Sequence, residues 1–92
     1  MKAIQTQLSE DGERMLAKDG DGNRISIPKP EQMSEWHREA AIALVRRMNW
    51  APVVLASGWI RSGQWVHVML PRLPENGQGR DLTYVAAEQE GV

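Results

Sequence analysis

An α+β fold is the class this 92-residue sequence predicts, with one amphipathic helix packed on one face of an antiparallel sheet of about four or five short strands. Three observations carry that reading. Apolar residues recur at helical spacing in one stretch, after Pro30. Short β-rich segments flank clusters of Gly, Asp and Asn. Prolines fall at the ends of these segments, where a missing N–H does least harm.

Residues 2–7, Lys-Ala-Ile-Gln-Thr-Gln, alternate weakly and read as an edge strand, followed by a polar break over residues 8–12. Residues 14–18 and 24–28 enclose Asp19-Gly20-Asp21-Gly22-Asn23 and read as a β-hairpin. Ser34 is the expected N-cap of the helix, because its hydroxyl can accept an orphaned first-turn N–H. Stepping about 100° per residue puts Met33, Trp36, His37, Ala40, Ala41, Leu44, Val45 and Met48 on one arc. Glu35, Arg38, Glu39, Arg46 and Asn49 take the opposite side, with Ile42 stranded among them and Arg47 at the apolar edge. Pro52 limits this helix to roughly 15 residues. Residues 53–57 and 64–70 then form a second hairpin around Arg61-Ser62-Gly63. Val66, Val68 and Leu70 share one strand face, expected to meet the helix, leaving Trp65, His67 and Met69 on the open face. The ββ(β)-α-ββ domain spans residues 1–74, and residues 75–92 read as an acidic, mobile tail.

A formal charge of −1 hides a division along the chain. Residues 1–23 carry net −2, residues 24–72 net +4 and residues 73–92 net −3. Six of the seven basic groups in the middle segment are Arg, which suits bidentate contact with carboxylate or phosphate. The absence of Cys excludes disulfides and thiolate zinc sites. No apolar run approaches the roughly 18 residues of a membrane span, and the N-terminal residues lack a signal-peptide h-region, so a cytoplasmic protein without membrane partners is expected.

Catalytic chemistry finds little footing. Asp19-Gly20-Asp21-Gly22-Asn23 imitates the opening of a calcium loop, but the positions needing Gly and a bidentate Glu hold Arg24 and Pro30. His37 and His67 lack spaced partners for a metal, and His37 reads as a satisfied group at the core boundary. Ser57-Gly58 and Ser62-Gly63 read as strand-end and turn residues, and no glycine-rich phosphate loop occurs. The expectation is therefore a non-enzymatic protein with no metal and no cofactor. Trp36 and Trp50 belong with the core, whereas Trp59 and Trp65 flank Arg61. Trp and Arg are enriched in interface hot spots, and both also stack on bases. The two Trp could equally close the end of a core that lacks Phe.

Several short stretches resemble small phage, plasmid and bacterial mobile-element proteins over roughly residues 1–70. They are Met1-Lys2-Ala3-Ile4-Gln5-Thr6, Ile25-Ser26-Ile27-Pro28, His37-Arg38-x-Ala40-Ala41-x-Ala43-Leu44 and Met48-x-Trp50. The chain departs from that pattern at Asn49, where the family has Gly, and in having only Ser57-Gly58 for a glycine-rich segment. Ala40-Ala41-x-Ala43, Met48-x-Trp50, Leu55-x-Ser57-Gly58 and Leu70-Pro71 are also similar to small type I-F anti-CRISPR proteins. The resemblance implies a compact inhibitor that occludes a host protein complex, such as a CRISPR effector. The contact residues expected for it come from the side chains themselves, not from the resemblance, and are Trp59, Arg61, Trp65, His67, Met69 and Arg46. The alternative is a nucleic-acid module using Arg38, Arg46, Arg47, Arg61 and Arg72. A homodimer through the outer sheet face or Ile42 is a third reading.

Overall fold

Antiparallel pairing joins the six strands found among the described residues into one sheet. The strands are β1 (Ala3–Leu8), β2 (Arg14–Asp19), β3 (Arg24–Pro28), β4 (Val53–Arg61), β5 (Gln64–Leu70) and β6 (Leu82–Val85). The spatial order is β3-β2-β1-β5-β4-β6. A 3-10 turn, Met33–Glu35, leads into helix α1, Trp36–Arg47, which packs mainly across β1, β2 and β3. This is a computed structural model, in which residues 3–61, 63–70 and 82–87 are described.

Local chemistry sets the turns. Asp19 Oδ1 accepts the N–H groups of Asp21 and Asn23, both at 2.9 Å, while Oδ2 accepts from the Asn23 amide. The carboxylate that opens the calcium-like motif is thus part of a hairpin turn, closed by Gly22 at φ 93°. Ser9 and Asp11 brace the β1–β2 turn in the same way. The Ser9 hydroxyl donates to Asp11 Oδ1 at 2.6 Å, and that oxygen also accepts from the Glu13 N–H. The serine hydrogen bond, then the backbone one, hold the Asp11 carboxyl below the usual range.

The helix begins later than the sequence predicts. Glu35 occupies the N-cap position, no side chain caps the end, and the exposed Ser34 lies within the 3-10 turn. Its far end is well satisfied. The Trp50 N–H donates to the Val45 carbonyl and the Asn49 N–H to the Arg46 carbonyl, with Asn49 at φ 58°. This is a Schellman ending with Asn in the left-handed position usually held by Gly. Ala40, Ala41, Leu44 and Val45 are buried, as the helical arc predicts. Ile42 is half-buried against the core rather than stranded on a polar face, and Met33, expected within the arc, is 71% exposed.

Two further expectations are corrected. Trp65, His67 and Met69 face the helix side of the sheet, and Val66, Val68 and Leu70 face outward. The reason lies in β1. Its alternation is unambiguous, because Ile4 and Thr6 are buried while Gln5 and Gln7 are not. Ala3 pairs with Val68, Gln5 with Val66 and Ile4 with His67, so β5 inherits its facing from β1. The second correction concerns the tail. Leu82–Val85 pairs with Val53–Ala56, and Val85 is buried in the core, so the domain extends past residue 74. Residues 75–81 and 88–92 lie outside the described residues.

The core joins Ile4, Met15, Ala17, Ala40, Ala41, Leu44, Val45, Val53, Leu55, Met69 and Val85. Leu8, Ile25, Ile27, Trp36, Met48 and Trp50 pack around it. Because α1 lies over β1–β3, the hairpin end of β4 and β5 projects beyond it. A cleft opens there, and the remaining chemistry of the chain gathers in it.

Candidate functional site

The cleft has a volume of about 560 Å³, between the start of α1 on one side and β4, β5 and β6 on the other. Met33, Trp36, Trp65 and Leu82 supply apolar wall, while His37, Ser57, His67 and Thr83 supply polar groups. Trp36 is fixed in place, since its indole N–H donates to the Pro30 carbonyl at 2.8 Å and the Lys29 ammonium lies 4.8 Å from its ring centroid. The Trp65 ring stacks on His37, with centroids 5.6 Å apart and planes inclined by 28°. Arg38, at the cleft edge, is held by Glu35 in a two-pronged pair whose Nε–Oε2 distance is 2.9 Å.

Four side chains from four elements form one hydrogen-bonded chain. Ser57 Oγ on β4 is 2.6 Å from His67 Nδ1 on β5. His67 Nε2 is 2.9 Å from Thr6 Oγ1 on β1, and Thr6 Oγ1 is 2.8 Å from His37 Nδ1 on α1. Thr6 is fully buried and His67 is 1% exposed, so these bonds are what makes their burial tolerable. Burial, and then the neighbouring His37, push His67 down to about 4. Burial also lowers His37, against the smaller opposing effect of the Thr6 backbone. Both rings are therefore neutral at pH 7.

Neutral rings restrict the proton arrangement. The Thr6 hydroxyl has one proton and meets two ring nitrogens, so one ring must donate to it and the other accept from it. If Thr6 donates to His37, then His67 donates to Thr6 through Nε2 and its bare Nδ1 accepts from Ser57. If Thr6 donates to His67, every bond in the chain reverses.

The contact residues expected from the sequence fall into three places. Trp59 is 66% exposed and Arg61 is exposed, both at the hairpin end, where Trp59 sits directly across from Trp65. Trp65 is half-buried in the cleft wall. His67 and Met69 are buried beneath the helix-side surface and offer no open sheet face, which corrects their expected position. Arg46 and Arg47 are exposed at the end of α1 remote from the cleft, and Arg72 lies outside the described residues. Arg38 and Arg46, eight residues apart on α1, are separated by about 12 Å along its axis. The basic groups of the nucleic-acid reading are therefore dispersed. Thr6, which links the two His, and Ser57, which bonds His67 alone, carry no local sequence signal of those roles. Only the cross-strand register, joining positions 61 residues apart, brings Thr6 to His67. Among the described residues, no group of three or more His, Asp or Glu is placed to hold a metal ion. No protein-family model matches the chain, and neither a curated protein nor a solved structure does.

Proposed function

We propose that this chain is a non-enzymatic binding module that docks on a macromolecular partner through the hairpin end beside the cleft and acts by occluding the partner's surface. The observation that carries the reading is the exposure of large apolar side chains around Arg61. Trp59 is 66% exposed and Ile60 41%, with Met33 at 71% on the rim of the adjoining cleft. In a chain with no Phe, leaving Trp and Ile in water sacrifices scarce core material, and such a patch suits an interface. A bulge at Trp59/Arg61 turns the strand just where these side chains emerge.

The chemistry of the cleft supports the non-enzymatic part. Ser57 meets a base, but an imidazole with a pKa of about 4 abstracts a proton poorly at neutral pH. The specific version, occlusion of a host CRISPR effector, draws on the likeness to anti-CRISPR proteins. Co-elution of the tagged protein with purified type I-F effector complex tests it. Retention that falls at least tenfold in Trp59→Ala and Arg61→Ala supports it. Failure to be retained by effector complexes of several subtypes overturns the specific version.

A further inference from the structure

We propose that the cleft between α1 and the β4–β5 hairpin is a binding site for a neutral, planar heterocycle carrying a ring amide, the chemistry shared by uracil-type and hypoxanthine-type bases. This site stands independently of the partner reading above, which concerns the exposed hairpin end.

The two ends of the hydrogen-bonded chain, His37 and Ser57, both line the cleft. His37 uses Nδ1 on Thr6, and no described residue bonds its Nε2. Among the described residues no buried polar side-chain atom lacks a partner, so Nε2 is not sealed off, and His37 lines the cleft. Ser57, at the other end, lines the same cleft. When Ser57 donates inward, Nε2 of His37 carries a proton and Ser57 offers a lone pair. When the chain reverses, Nε2 is bare and the Ser57 proton is free to point into the cleft. The two ends are always opposite in character, one donor and one acceptor.

A ligand that satisfies both ends must therefore bring one acceptor and one donor, as the –C(=O)–NH– unit of a ring amide does. Because the chain reverses as a unit, the ligand can present them in either order. Trp36 and Trp65, one face of each taken by Lys29 and by His37, give the cleft an aromatic wall that suits a flat ligand. Charge is selected against. Both imidazoles are neutral, and Arg38, the charged group among the described lining residues, is already bonded to Glu35. A volume of about 560 Å³ lies within the range of small-molecule pockets.

Titration of the whole protein with uridine and inosine, read by Trp fluorescence and by histidine nitrogen shifts, tests the site. Indole serves as a flat control lacking the ring amide, and benzoate as a charged one. Saturable binding of uridine or inosine at least tenfold tighter than either control is expected, with one histidine tautomer populated on binding. Ser57→Ala removes one end of the chain and is expected to weaken binding about tenfold, a loss of one hydrogen bond's discrimination. Thr6→Ser, which keeps the hydroxyl, is expected to retain binding. A parallel titration with oligouridylate distinguishes sources: tighter, salt-dependent binding assigns the base to a single strand, and equal affinity per base assigns it to a free nucleoside. Absence of saturation by uridine and inosine, binding of indole as tight as theirs, or binding unchanged in Ser57→Ala would overturn the proposal.

Discussion

Thr6 holds two imidazoles with a single hydroxyl, and that economy makes the pH response of the fold a property of named residues. His67 has its usual value of 6.5 lowered to about 4 by burial and by the nearby His37. Above pH 6.5 the folded and unfolded chains both carry this ring neutral, and the stability is fully present. As pH falls below 6.5, the unfolded chain takes up a proton that the folded chain refuses until about pH 4, so stability is lost over that window. The loss from this ring is roughly 3 kcal/mol at its acid limit. Urea midpoints at intervals from pH 7 to 5, above most carboxylate titration, are expected to fall steadily, and His67→Gln is expected to flatten the slope. A flat profile in the unaltered protein would contradict the burial of this ring. None of this was legible locally. Ser57 and His67 sit in ordinary β-rich segments and meet across one hairpin, but Thr6, which carries the chain on to His37, arrives only by pairing with the distant β1.

At the scale of elements, what the sequence announces and what it withholds divide by range. The helix and both hairpins follow from local period and turn residues, and α1 buries Ala40, Ala41, Leu44 and Val45 as its spacing implies. The facing of β5 was withheld, because both its faces are apolar or amphipathic and Gln5 and Gln7 on β1 decide it. β6 was withheld too, since its four residues sit beyond a Pro- and Gly-rich segment and gain order only from the β4 edge. Two measurements follow. Val85 is 1% exposed, and Val85→Ala is expected to cost about 2 kcal/mol in denaturant unfolding. A loss under about 0.5 kcal/mol, the range of surface substitutions, would contradict a structural β6. Asn49 holds the left-handed residue of the helix ending, so Asn49→Ala is expected to destabilise by about 1 kcal/mol and Asn49→Gly to be neutral or stabilising. Thermal unfolding of the pair checks this, and Ala outperforming Gly would contradict the Schellman ending.

At the scale of the whole molecule, the one α-helix among the described residues covers half of a six-stranded sheet, and the hairpin end beyond it carries the cleft and the exposed Trp59. The proposed binding functions both depend on that asymmetry, and the hydrogen-bonded chain is what ties the two halves together. It crosses from α1 through β1 to β5 and β4, so its state reports the assembled fold and not any single element. Its logic also gives a sharp consequence. With Thr6 bridging Nδ1 of His37 and Nε2 of His67, both arrangements put the ring protons on the same kind of nitrogen in the two residues. Histidine nitrogen shifts of the full chain at pH 7 measure this directly. The expected result is two neutral rings of the same tautomer, both protonated at Nε2 or both at Nδ1. A protonated ring, or one ring of each tautomer, would contradict the chain on which the cleft is built.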